Sequence, residues 1–284
     1  MASTDAAVVV EPLTSLTPGA TQRELDALVE QSGWNQTSAD WAVFSNEGTI
    51  YVVRDEQGKI LGSGAVLPSA TLSAWIGMIL VAPEARGRGL GTALFQRCLN
   101  TASAGGRAAL LDATPAGRRL YQQFGFEPLF SSTRWQLEGH APAREAPIGK
   151  ACSRSDIDAI VALDTLAFGA PRPALLSDIL GRAGSRCLHA DGGIAIVRHG
   201  RVADHIGPLL APDETTAEVL LHAAVATVAG SAFIDVPDAR TSVAALLVSL
   251  GFTRQRNFSR MALGGHALSG RTSLIHAIAG PEFG

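Results

Sequence analysis

The chain has 284 residues, 46% of them hydrophobic, with 23 basic against 26 acidic side chains and a net charge of −3. That length exceeds the roughly 100–200 residues of one domain and favours two, each with enough apolar residues to bury a core. No run reaches the ~18 apolar residues that span a bilayer, the opening MASTDAAVVVEPLT has neither a basic lead nor a sustained apolar core, and basic residues are not spread over a broad face; a soluble, cytoplasmic protein without membrane or nucleic-acid partners is expected. The three cysteines, Cys98, Cys152 and Cys187, are odd in number and lack metal-ligand spacing, which predicts buried free thiols in a reducing compartment and no metal site.

In chain order, Val8 to Val10 predicts a first strand, and Thr21 to Gln31 a helix with Leu25 and Leu28 on one face. Gly33 ends that helix, and the stretch to Trp41 sets two tryptophans among polar residues. Thr49 to Val53 and Ile60 to Val66 predict a hairpin turning at Asp55 to Lys59. Met78 to Val81 is a short apolar run typical of a strand covered on both faces, and Pro83, which cannot donate to a ladder, stops it. The turn Arg86-Gly87-Arg88-Gly89-Leu90-Gly91 follows, leading into a helix near Gly91. Glycines at every second position remove the Cβ atoms that would keep a ligand from the backbone, so successive N–H groups can converge on an anion at the positive end of that helix. Six arginines stand between Arg86 and Arg119 against the single acid Asp112, a local positive field suited to a polyanionic cofactor. The dinucleotide fingerprint fails because Thr92 stands where its third glycine belongs, and a Walker loop fails for want of a lysine.

The helix then carries Ala93, Leu94, Arg97, Cys98 and Ala102 and ends at Gly105-Gly106. Ala108 to Leu111 predicts a buried strand parallel to the central one, since a helical crossover joins them. Asp112 stands at its C-terminal end, where open α/β sheets place ligands. Pro115 suits the first turn of a further helix and Gly125 its end; Thr133 to Leu137 predicts a closing strand.

The spacing Arg86-x-x-Gly89-x-Gly91 after a strand with Val81 and Pro83, together with Leu120-Tyr121-x-x-x-Gly125-Phe126, resembles the GNAT superfamily of N-acetyltransferases. The resemblance implies that the backbone from Gly87 to Thr92, through Arg88, Gly89, Leu90 and Gly91, takes the pyrophosphate of coenzyme A with Arg86 assisting. The pantetheine arm would lie along Ile79, Leu80 and Val81, and Tyr121 would reach the coenzyme A sulfur. Members commonly have asparagine seven and alanine four residues before that tyrosine; here Thr114 and Gly117 stand there, and Thr114 is the candidate cofactor contact. In the family's order of elements Trp34, Asp40 and Trp41 fall on the acceptor side, with core anchoring the competing role for the tryptophans.

Gly139 to Lys150, rich in glycine and proline, predicts a linker, and Ser155 a helix start running to Phe168. The later part echoes the first: Ile206 to Pro212 matches Ile76 to Pro83, Phe233-Ile234-Asp235 matches Leu110-Leu111-Asp112, and Gly251-Phe252 matches Gly125-Phe126. Between Pro212 and Leu220 there are three acids and no glycine, a helix start that repels a pyrophosphate. The expectation is an α/β (α+β) chain of two tandem GNAT-type folds, each a mixed central sheet flanked by helices: an acetyl-CoA-binding domain over 1–138, a linker over 139–150, and a GNAT-like domain lacking the pyrophosphate loop over 151–284. It resembles the two-domain GNAT proteins with a degenerate second domain, in a monomer or homodimer.

The implied reaction is acetyl transfer from acetyl-CoA to an amine of a small molecule or peptide, by direct attack in a ternary complex. The backbone N–H of Ile79 would polarise the thioester carbonyl and Tyr121 would protonate the departing thiolate. For the base, an ordered water and Asp112 stand even, and His205 is a further candidate if the domains face each other, with a structural histidine as its alternative. A non-catalytic acyl-CoA sensor is the competing function.

Overall fold

The computed structural model describes residues 8–16, 19–139, 150–153, 156–266 and 269–284. The first half runs β1 (Glu11–Pro12), α1 (Ala20–Gln31), α2 (Ser38–Glu47), β2 (Thr49–Arg54), β3 (Ile60–Ser69), β4 (Ser73–Val81), α3 (Leu90–Ala102), β5 (Ala108–Ala113), α4 (Pro115–Gln123) and β6 (Phe126–Leu137). The second half repeats that order element for element: β7 (Lys150–Ala151), α5 (Ile157–Phe168), α6 (Pro173–Gly181), β8 (Arg186–Ala190), β9 (Gly193–Arg198), β10 (Asp204–Leu210), α7 (Glu214–Ala226), β11 (Ala232–Pro237), α8 (Thr241–Ser249) and β12 (Thr253–Leu263). A further strand, β13 (Ile275–Ala277), has no counterpart among the described residues of the first half. The class is the expected mixed α/β. The first strand is β1 and not Val8 to Val10, while Ser155 and the linker from 140 to 149 lie outside the described residues.

Local chemistry explains several boundaries. Thr37 and Asp40 form a capping box at the start of α2, satisfying backbone donors that a helix leaves open. Pro115 opens α4 directly after Thr114, whose hydroxyl accepts from the Gly117 N–H at 3.3 Å. On α1, Leu25, Leu28 and Val29 are buried, the apolar stripe the spacing predicts.

The described strands form one sheet in the order β1-β2-β3-β4-β5-β12-β6-β11-β10-β9-β8-β7, with β13 beside β10. Thr133 to Leu137, expected to close the first half, is the end of β6, and β6 pairs with β11 and β12, both from the second half. In return β12 pairs with β5. Each half therefore hands its last strand to the other, and side chains travel with the strands: Trp135 and Leu137 of β6 pack in the second core, Met261 and Ala262 of β12 in the first.

Each exchanged strand is fastened by a buried, two-pronged ion pair between cross-strand neighbours. Arg134 on β6 donates through Nε and Nη2 to Asp235 on β11 at 2.8 and 2.7 Å, and Arg260 on β12 donates likewise to Asp112 on β5 at 3.0 and 2.8 Å. Aromatic faces complete both clasps: Phe233 and Phe258 lie against Arg134, and Trp75 and Phe130 against Arg260. Removing one partner of a buried pair strands a charge, which costs about 3–5 kcal/mol. Arg260→Met is expected to lower Tm by on the order of 10 °C, and Asp112→Leu in the same chain to recover much of that loss. Calorimetry of the single and double variants checks this; an unchanged Tm in the single variant would show the clasp idle.

Two of the cysteines expected to be free, Cys152 and Cys187, are joined in a disulfide with Cα atoms 5.2 Å apart. Cys152 directly follows β7, which pairs with β8, and its N–H donates to the Cys187 carbonyl at 2.8 Å, so the ladder brings together two residues 35 positions apart. Cys98 is free and buried, and burial pushes its thiol far above the ordinary range, which removes it as a nucleophile.

Candidate active site

The site begins where β4 parts from β5. Their parallel ladder covers Ser73↔Ala108, Ala74↔Ala109 and Trp75↔Leu110 and stops there, so from Ile76 onward β4 has no partner on that side. On its other side β4 bulges: Ser63 faces Leu80 and Ala65 faces Gly77, leaving Met78 and Ile79 opposite the single residue Gly64. Met78 takes a left-handed φ of 55°, rare for a residue with a side chain, and the buried Ser63 hydroxyl donates to its carbonyl at 2.9 Å. The bulge and the splay open a cleft along Ile76 to Ile79.

At the end of β4 lies the glycine turn. Gly87 and Gly89 both have φ of 75°, and an added Cβ at either would meet nothing within 4 Å, so their backbone faces open space. Gly89 is the residue before α3, which starts at Leu90, one position earlier than expected; its first turn has no acid. Arg86 folds back to donate to the Val81 carbonyl at 3.2 Å, while Arg88 is exposed. A pyrophosphate fits this turn: a glycine backbone open to its surroundings, a helix start with no acid in its first turn and two exposed arginines. Leu80 and Leu90 are buried, so only their backbones face such a ligand.

Tyr121 lines the cleft from α4. Its ring packs on Phe95, with centroids 4.5 Å apart, and lies back over Gly117 one turn earlier, where a Cβ would come within 3.0 Å of it. Gly117 thus leaves room for the ring. Among the described residues the Tyr121 hydroxyl has no hydrogen-bond partner, and burial pushes the phenol above its ordinary range, so it carries its proton at neutral pH. Thr114 lines the cleft too, although its hydroxyl is engaged as the cap of α4.

Of the expected substrate-side residues, the structure puts Trp34 on the cleft wall and not the other three. Asp40 is 3% exposed, held by the Thr37 N–H and by Arg182 Nη1, both at 2.7 Å, because it caps α2 and ties it to α6. Trp41 is fully buried in the first core. His205 does not line the cleft, and burial beside Arg198 and Arg134 pushes its pKa well below the ordinary range, so it is neutral. Asp112 borders the cleft, yet its carboxylate is wholly buried and both oxygens are taken by Arg260, which makes it the strand clasp and not a free base. Burial pushes its carboxyl up against the pull of that arginine.

Sequence reasoning missed the contribution of the last residues. Residues 278–284 leave β13 and cross to the first half, where Trp75 Nε1 donates to the Pro281 carbonyl at 3.1 Å and Phe283 stacks on Phe44. Glu282 reaches the cleft, its carboxylate accepting from Gln36 Nε2 at 2.7 Å and from Arg198. Burial pushes its pKa up. Arg134, Arg256 and Phe258 complete the wall.

The second half has the matching splay and bulge, and both are closed. β10 leaves β11 after Ile206↔Ile234, but β13 pairs with β10 in the opening, at Leu209↔Ala277 and Leu210↔Ile275. The Ile278 N–H then donates to the Asp235 carbonyl at 3.0 Å. At the start of α7 the Asp213 side chain accepts from the Thr216 N–H at 2.8 Å, occupying with its own anion the place a pyrophosphate would need. Among the described residues no cluster of His, Cys, Asp or Glu is placed to hold a metal, and no helix is long and apolar enough to cross a membrane.

Two family profiles, each described as an acetyltransferase (GNAT) domain, match residues 46–128 and 160–277. The chain is 31% identical to the holothin acyltransferase of Pseudoalteromonas sp. over 251 residues, which is 81% of this chain and 82% of that protein. Among solved structures, a Pyrococcus horikoshii chain superposes with a TM-score of 0.81 at 21% identity, covering 98% of this chain and 96% of its own. The tandem GNAT protein from the clavulanic acid biosynthesis pathway superposes at 0.65 with 16% identity, covering 93% and 99%. These two likenesses show the fold.

Proposed function

The chain belongs to the GNAT acetyltransferases, enzymes of acyl transfer to amines, and on that footing we propose that it moves an acetyl group from acetyl-CoA to an amine of a small molecule or peptide at the cleft beside Met78 and Ile79. The observation that carries this reading is a shared strand: the splayed, bulged stretch of β4 lines the cleft on which Tyr121 stands, and the chain runs on from the end of β4 into the glycine turn, whose backbone is open to an anion.

Acetyl-CoA, when bound, supplies the acetyl group as a thioester; overall the amine loses one proton and the coenzyme gains one on sulfur. The backbone of Gly87 to Thr92 binds the pyrophosphate, with Arg86 and Arg88 adding charge, and the edge of Ile79, Leu80 and Val81 receives the extended arm. The Ile79 N–H, on the stretch that has lost its β5 partner, donates to the carbonyl oxygen where negative charge grows. Tyr121 holds a proton for the departing sulfur. Asp112 being engaged, the amine's proton passes to water in the cleft. Trp34, with Ile76 and Pro281, supplies an apolar wall that orients the acceptor and excludes bulk water.

The second half does not bind coenzyme A in this reading, because β13 and Asp213 fill its counterpart positions. The test is calorimetric titration with acetyl-CoA together with labelled acetyl transfer to a panel of small amines and peptides. One site per chain and amine-dependent release of coenzyme A are expected. Binding with no transfer to any amine would leave a sensor; two sites per chain would show the second half misread.

A further inference from the structure

Charges around the cleft are matched in pairs: Asp112 with Arg260, Asp235 with Arg134, and Glu282 with Arg198. Arg256 stands on the same wall, half-buried, and among the described residues it makes no ion pair, hydrogen bond or ring contact. Its placement is built by the strand. On a regular strand Arg254 and Arg256 would share a face. β12 slips against β6 between them, so that Arg254 faces Trp135 and Arg256 faces Arg134, with Gln255 as the extra residue. Arg254 accordingly lies over the Trp135 ring, at 5.1 Å, while Arg256 goes to the cleft. Burial and the neighbouring Arg134 push its guanidinium below the ordinary range against the pull of Asp235, whose carboxylate is already held by Arg134.

The coenzyme is not the obvious source of that anion, since none of Arg86 to Thr92 lines this cleft. Phe258, Trp34, Ile76 and Pro281 on the wall reduce the water that would screen a partner charge. A guanidinium fork in such a place matches the two oxygens of a carboxylate better than any other common group on an amine.

Resting on the acyl-transfer reading, we propose that the acceptor is an amine that also carries a carboxylate, as in an amino acid, and that Arg256 is the residue that selects it. The carboxylate docks on the guanidinium, which points the amine toward the bulge at Met78 and Ile79.

The test compares amino acids with their decarboxylated counterparts, phenylalanine with phenethylamine and tryptophan with tryptamine among them, by two measurements. Calorimetry on the coenzyme A-loaded protein reads affinity without chemistry; steady-state transfer reads kcat and KM. At least one amino acid is expected to bind at least about tenfold more tightly than its amine, the scale of a charge-assisted bond. In Arg256→Gln that ratio is expected to fall to about twofold or less, through KM for the amino acid. A panel in which no amino acid is preferred overturns the proposal, as does an Arg256→Gln effect that falls on KM for acetyl-CoA instead. A binding preference that depends on Arg256, with no transfer to any member, would sink the acyl-transfer reading and keep the carboxylate subsite.

Discussion

Replacing Gly89 with glutamate is expected to weaken acetyl-CoA binding by at least about a hundredfold, or roughly 2.7 kcal/mol, while the fold survives. Two effects must be separated. Gly89 has φ of 75°, a conformation that costs any residue with a Cβ about 1–2 kcal/mol, so alanine and glutamate share a modest loss of stability. No atom lies within 4 Å of an added Cβ, so neither substitution meets a steric clash in the folded protein. The glutamate alone brings a negative charge to the pyrophosphate, and two like charges ~4 Å apart near a protein surface repel by about 4 kcal/mol. Electrostatics therefore outweighs strain. Calorimetric titration of Gly89→Glu against Gly89→Ala, with Tm for both, isolates that term; glutamate and alanine affinities within threefold of each other would remove the turn from coenzyme binding.

The second large effect is on the chemical step. Tyr121→Phe keeps the ring against Phe95 and Gly117 and removes a hydroxyl with no partner among the described residues, so Tm and acetyl-CoA affinity should hold. A general acid contributes about 10²–10⁴-fold, and single-turnover kcat should fall by at least about tenfold. The pH dependence has a definite sign. Burial raises the phenol above its ordinary value of about 10, so it stays protonated throughout an ordinary assay range. The profiles of Tyr121→Phe and the native chain should then run parallel below about pH 10, the variant lower throughout. Equal rates would leave protonation of the thiolate to water.

Local signals made much of this legible. The glycine turn, the crossover from β4 to β5 and the capped helix bearing Tyr121 each depend on neighbouring residues, and a single sequence displays them. The bulge at Met78 is different, since its cause is register against β3 and a left-handed φ in a residue that disfavours it. The strand exchange was harder still to see, although a trace was present. Arg134 follows Gly125 by nine residues and Arg260 follows Gly251 by nine, so each repeat carries the same arginine, as each carries the aspartate. Reading those as two clasps requires knowing that the partners are crossed. Glu282 and Arg256 had no local signature: one is delivered by a terminal segment packed across the halves, the other by a slip in β12. Asp40 and Trp41 went the other way, since capping and core burial use the same residue types as a substrate wall.

The exchange also sets an order of events during synthesis. Arg260 is 148 residues downstream of Asp112, so a nascent first half has every element of its sheet except the strand that covers β5. At about 5–20 residues per second, that interval lasts roughly 7–30 s. Throughout it the free edge of β5 presents unpaired N–H and C=O groups, a template for pairing with another chain. Contacts this distant in sequence form late. The first half, with its glycine turn already translated, thus becomes a finished domain only once β12 has been made.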